Sequence, residues 1–228
     1  MTEPTHAPAT KAYDPKCVRC PRLAGFLKET RARYPDYWAR PVPSFGDPAA
    51  PLVFVGLAPG MHGANRTARP FTGDHAGILL YQTLFDAGLA TQPASISAQD
   101  ELRLMNARIV NAVKCLPPQN RPLPEEVRTC NAYLAREMGE LPGARVYLAL
   151  GRVAHEAVLM ARGLKRAAHP FAHAGEHLVG DGVHLVDSYH CSRYNTQTRR
   201  LTTQMFREVV ARACELARLP VPARLQLP

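Results

Sequence analysis

LVFVGLAPGMHGANRTARPFTGD, residues 52–74, opens on a short β-branched run, ends that run on glycine, and passes through a long loop toward a helical pattern beginning near residue 75. Four consecutive apolar residues without polar alternation suit a strand buried on both faces, as in a parallel sheet covered by helices. Three similar runs follow, at 107–113 (ARIVNAV), 145–150 (RVYLAL) and 183–187 (VHLVD). Helical patterns fill the intervals at 75–89, at 124–139, from Gly151 to about 162, and finally at 197–218. Pro124 followed by Glu125 and Glu126 marks one helix start, because proline costs nothing at the first turn and carboxylates favour the positive end of the helix dipole. On the last helix Leu201, Met205, Val209 and Leu216 share one face. Alternating strands and helices imply an α/β chain with a parallel sheet between helical layers. In such sheets chemistry gathers beyond the carboxyl ends of the strands, here after Gly56, Val113, Leu150 and Asp187.

The segment Gly56–Asp74 lies at the first of these ends and holds four glycines, two prolines, two arginines, a histidine, an asparagine and one aspartate. Glycines let backbone approach a ligand closely and expose N–H groups to anions. Ordinary surface turns use the same residues, but a loop this long inside a compact domain is usually functional.

The length of 228 residues suits one domain, expected over 15–218, with a disordered Pro/Thr/Ala-rich tail at 1–14 and a loose tail at 219–228. Lys and Arg outnumber Asp and Glu by 28 to 19, a net charge of +9 that suits a polyanionic partner, because neutralised phosphates release counterions. A basic soluble protein with no such partner would have the same charge. No apolar run approaches the roughly 20 residues of a membrane span, and no charged-then-apolar signal opens the chain. The expected location is therefore cytoplasmic, in association with the nucleoid.

Six cysteines stand at 17, 20, 115, 130, 191 and 214. Without an export signal, metal or redox chemistry is favoured over disulfides. Cys17 and Cys20 lie one turn apart near a helix start, and four thiolates suit either an iron–sulfur cluster or tetrahedral zinc. Spacing leaves both open. Cys214 reads as a small core residue. His169, His173 and His177 fall four apart, but Pro170 and Gly175 interrupt the helix that a metal face would need. They are candidates for a loop facing DNA or substrate.

Two strings, GLAPGMHGANRTARPFTGD (56–74) and SYHCSRYNTQTRRLT (188–202), closely resemble in order and spacing the two signature motifs of family 5 (type b) uracil-DNA glycosylases. The resemblance implies a three-layer α/β/α sandwich around a four-stranded parallel sheet. It implies a [4Fe–4S] cluster held by Cys17, Cys20, Cys115 and Cys130. The implied reaction is hydrolysis of the N-glycosidic bond of uracil, and of other deaminated bases such as hypoxanthine and xanthine, flipped out of DNA to leave an abasic site. The chain is expected to act as a monomer on DNA.

Residue by residue, the resemblance nominates Asp74 and His190 for catalysis. Breaking a deoxyribosyl–base bond builds positive charge on the sugar and negative charge on the base. A carboxylate can stabilise the first and orient water, and a neutral imidazole N–H near O2 of the base can stabilise the second. Asp74 also stands where a helix N-cap is favoured, and the two roles are compatible. Phe71 is expected to stack on the flipped base, with core packing as its plainer role. Asn111 ends the second strand, where asparagine is disfavoured; its carboxamide complements the O4/N3–H edge of uracil. Gly60 and Asn195 complete the expected base site. Asn65, Arg66, Ser192, Arg193 and Tyr194 are the expected DNA contacts, the last two with Asn195 standing where related enzymes wedge into the gap. Lys114, Arg121 and Arg128 are expected beside DNA on a segment pinned by the cluster.

Three positions depart from or refine the pattern. Cys191 replaces a usual proline, and Ala68 a common glycine. Leu57 stands where the related family 4 carries an acid, which counts against an enzyme restricted to uracil. A metal-stabilised nucleic-acid-binding module would need the basic face and cysteines, but not Asp74, Asn111 or His190.

Overall fold

The computed structural model describes residues 12–226. The first half runs α1 (Pro21–Arg33), β1 (Phe45–Gly46), β2 (Leu52–Gly56), α2 (Ala64–Thr67), α3 (His75–Asp86) and β3 (Ala107–Asn111). The second runs α4 (Pro124–Gly139), β4 (Val146–Leu150), α5 (Arg152–Ala161), β5 (Glu176–Leu178), β6 (His184–Ser188), α6 (Arg193–Gln197), α7 (Thr203–Leu216) and α8 (Ala223–Gln226).

The sheet has the order β1-β3-β2-β4-β6-β5. Its inner strands β3, β2, β4 and β6 are parallel, as the apolar runs require. The sheet is nevertheless six-stranded: β1 and β5 add antiparallel edges. Those edges are Phe45–Gly46 and Glu176–Leu178, too short to carry any period in the sequence.

Side chains alternate across the sheet and feed two cores. Leu52, Phe54, Ile109, Leu148 and Val186 face Leu80 and Leu84 of α3 and Phe206, Val209 and Val210 of α7. Val53, Val55, Val110, Tyr147 and Leu185 face α1, α4 and α5, through Leu27, Leu134 and Val158. Each large apolar side chain on β2 is fully buried, stabilising the fold by about 1.5–3 kcal/mol. A polar substitution there would strike both the transfer term and the packing.

The final helical stretch is two helices. Ser192 caps α6, Arg199 at φ 55° breaks the path, and Thr202 caps α7 by accepting from Met205 N at 3.1 Å. The later start turns the buried stripe to Phe206, Val209, Val210 and Ala213, leaving Met205 and Leu216 only partly buried. Cys214 is buried in this core.

The described residues of both expected tails make packing contacts. Residues 1–11 lie outside the described residues, but Ala12 is buried and Tyr13 Oη donates to the Pro41 carbonyl at 2.8 Å. At the other end α8 docks through buried Leu225, and Arg224 Nε donates to the Asp86 carbonyl at 2.8 Å. Among the described residues no helix is long and apolar enough to cross a membrane.

The connection leaving β2 packs α3 on one face, while those leaving β3 and β4 pack α4 and α5 on the other. Loops diverge above β2 and β4, and this topology leaves a crevice beyond their carboxyl ends.

Candidate functional site

A cleft of about 560 Å³ opens at that crevice. The loop after β2 contributes Leu57, Gly60, Phe71 and Asp74, β3 ends in it with Asn111, and the segment after β6 supplies His190, Ser192, Arg193 and Tyr194. Residues more than a hundred positions apart therefore share one cavity.

Asp74 is the N-cap of α3, its Oδ1 accepting from Gly77 N at 2.9 Å. Its other oxygen turns toward the glycine loop: a Cβ on Gly63 would lie 2.5 Å from Asp74 Oδ2. Only glycine lets that backbone lie so near. Burial raises the Asp74 pKa above the ordinary value, and hydrogen bonds from the backbone of Gly77 and Ala76 offset this only in part.

Phe71 sits at φ 55°, and its ring stacks on His190 with centroids 5.9 Å apart. A Cβ on Gly56 would fall 2.4 Å from Asn111 Oδ1 and 2.8 Å from the Phe71 ring, so this glycine permits the two side chains to meet. Asn111 Oδ1 is buried without a hydrogen-bond partner. An unpaired buried acceptor costs roughly 1–3 kcal/mol, a cost a ligand donor would relieve. Burial pushes the His190 pKa down to about 4, so its imidazole is neutral at physiological pH.

Asn195 lies behind the cleft and braces it: Nδ2 donates to the His190 carbonyl at 2.8 Å. Asn65, expected to contact DNA, is fully buried in α2, and neither side-chain amide atom has a partner. Arg66 remains exposed, with Nε donating to the His62 carbonyl at 2.8 Å. Lys114 also turns inward, its ammonium 2.7 Å from Glu137; a strand end this deep must pair its charge. Burial would raise the Glu137 carboxyl, but Lys114 and Arg108 more than offset that and hold its pKa low. Arg121 lines the cleft and Arg128 is exposed. Tyr194 is 70% exposed at the rim, well placed to meet a partner.

Gln119 and Asn120 also line the cleft and were not singled out in the sequence. Both have φ 56°, a conformation costly for non-glycine residues and concentrated at functional sites. The proline-dense LPPQNRPLP (116–124) at a strand end was the available signal. Cys191 is fully buried, and burial, with the Asp74 carboxylate adding, pushes its thiol up to about 12. A thiol so held is protonated and unreactive.

Cys17, Cys20, Cys115 and Cys130 share a second cavity with Tyr13, Pro41 and Tyr133. Lys114 N donates to Cys130 Sγ at 3.3 Å. Arg22 pins α1 over this region through Glu126 at 2.7 Å. Among the described residues, the one trio of His, Cys, Asp or Glu ligand atoms within 4.8 Å of one another is His155, His177 and Asp187.

A family model described as the uracil DNA glycosylase superfamily matches residues 43–214. The chain is 50% identical over 208 residues to a type-5 uracil-DNA glycosylase of Thermus thermophilus, covering 89% of this chain and 94% of that relative. It is 44% identical over 201 residues to a type-5 uracil-DNA glycosylase of Pyrobaculum aerophilum, covering 86% and 87%. A type-4 uracil-DNA glycosylase of Archaeoglobus fulgidus is 38% identical over 129 residues, covering 56% and 53%.

Proposed function

Because the chain belongs to the uracil DNA glycosylase superfamily, grouping there with the type-5 enzymes, we propose that it excises uracil and other deaminated bases from DNA through the cleft beyond β2, β3 and β6. The observation that carries this reading is the buried, unpartnered Asn111 Oδ1 in the same cleft as Asp74, Phe71 and His190.

In this reaction uracil turns out of the helix and stacks against Phe71. Asn111 Oδ1 accepts from N3–H, and its amide donates to O4. The bond from N1 to C1′ breaks with both electrons leaving on the base. The His190 N–H meets the charge growing on O2. The Asp74 carboxylate stabilises the cationic sugar and orients water. The water oxygen bonds to C1′, its proton passes to Asp74, and the departing base takes one from solvent. Arg66, Arg121, Ser192 and Arg193 hold phosphates, while Tyr194 fills the gap left by the base. One chain supplies every group this reaction uses.

The acid limb of the rate should report Asp74. Its carboxylate is the working form and burial raises its pKa, so excision falls as pH drops through a value above the ordinary aspartate pKa. A single-turnover pH profile checks this. The limb should vanish in Asp74→Asn, leaving a slow and flat rate.

Cys17, Cys20, Cys115 and Cys130 line one cavity, and four cysteine thiolates are the ligand set of a [4Fe–4S] cluster. Cys17, Cys20, Cys115 and Cys130 would hold the cluster. Its contribution is structural cross-linking of the N-terminal segment to α4, with the Lys114 N–H bonded to one ligand sulfur.

Breadth of substrate rests on Leu57, which lines the cleft without offering a polar group. Water activation then falls to Asp74, and the space is left for larger bases. Hypoxanthine should be released from duplex DNA, more slowly than uracil. Leu57→Glu should lose hypoxanthine activity more than uracil activity, because the new side chain fills that space. The test is excision from duplexes carrying uracil, hypoxanthine or xanthine, read by alkaline cleavage of the abasic site. Strict uracil specificity in the unaltered protein would contradict the reading of Leu57.

A further inference from the structure

A second group of ionisable side chains converges away from both cavities. His155 on α5, His177 on β5 and Asp187 on β6 bring their ligand atoms within 4.8 Å of one another. The first and last are 1% and 0% exposed. Nε2 of His155 faces a backbone carbonyl, that of His169, at 2.9 Å, so this nitrogen carries a proton. Nδ1 lies 2.7 Å from Asp187 Oδ1. In a neutral imidazole that would set a lone pair against a carboxylate. A positive charge must lie between them.

A proton on Nδ1 would close that gap but leave another. Asp187 Oδ2 and His177 Nε2 are 3.4 Å apart, both buried, and neither has a hydrogen-bond partner. One divalent ion bound to His155 Nδ1, His177 Nε2 and the Asp187 carboxylate satisfies all of these atoms together. The Nε2–H bond to the His169 carbonyl is then the outer contact that fixes the tautomer and orientation of a metal-bound histidine.

We propose that His155, His177 and Asp187 form a site for a first-row divalent cation of the zinc type. Two imidazoles and one carboxylate suit such an ion. The ion would tie α5 and the edge strand β5 to β6, three residues before His190. Contiguous spacing hid the trio: of His169, His173 and His177 one member belongs, and His173 instead stacks on Tyr189 with rings 5.0 Å apart.

The test uses the full chain with its cysteine cavity loaded. The protein is treated with a mild chelator, titrated with zinc chloride, and gel-filtered for elemental analysis, and its melting temperature is recorded. The expected result is about one zinc per chain with melting raised by several degrees, as for any ion that binds the folded state alone. His177→Ala is the first variant, since that side chain is 12% exposed and the least disruptive to remove. It should weaken zinc binding at least about tenfold and abolish the melting shift, with iron content and visible absorption unchanged. Asp187→Asn should do the same. Absence of stoichiometric zinc in the unaltered protein would overturn the proposal, leaving a proton-bridged pair. Equal zinc retention by His177→Ala, or zinc lost instead from Cys130→Ser, would also overturn it.

Discussion

Asp74→Asn is expected to lower single-turnover excision of uracil by about 10²–10⁴-fold, the usual worth of a positioned acid–base or charge-stabilising group. Affinity for the uracil-containing duplex should change by less than about threefold, because the carboxylate acts on charge that exists only in the transition state. The asparagine is chosen because Asp74 does two things. Its Oδ1 caps α3 through Gly77 N, and an asparagine oxygen can keep that bond while losing the charge. Asp74→Ala removes both, and should cost a further 1 kcal/mol or so of stability. If the two variants lose binding and excision in step, Asp74 is a cap and nothing more.

The parallel heart of the fold was legible because burial on both faces leaves a continuous apolar run, as at 52–55. The strands at 107–111, 146–150 and 184–188 were found within two residues for the same reason. What was not legible lacked a period. The edge strands are too short to show one, and α1 buries only Leu23, Leu27 and Thr30. It is also tied down by the Arg22–Glu126 pair, a contact across 104 residues. The tails looked loose because single anchors, Ala12 and Leu225, leave no composition signal. The cleft shows the same division. Asp74, Phe71 and His190 stand in strings whose order already linked them. Asn65 stands in one of those strings too, yet α2 turns it into the interior, which string matching cannot register. Gln119 and Asn120 line the cleft through backbone conformation rather than residue type.

Cys115→Ser carries the second large effect. The unaltered protein should be yellow-brown with about four irons per chain, and the variant should lose most of the iron and the visible absorption. Ligand binding at such a site is part of the folding free energy. Losing roughly 3 kcal/mol would lower the melting temperature of a chain this size by about 6–12 °C. Excision should survive at low temperature in whatever fraction stays folded, since none of the four cysteines lines the cleft beyond β2. Colourless unaltered protein that instead holds one zinc on the quartet would contradict the assignment.

Excess purified protein mixed with a duplex carrying one isotope-labelled uracil, with free base assayed by mass spectrometry, separates breaking of the glycosidic bond from mere gripping of DNA. The expected result is stoichiometric release of uracil with an intact, abasic strand, and near-complete loss of release in Asp74→Asn at saturating protein. Tight binding of the duplex with no free uracil, or equal release by the variant, would contradict it.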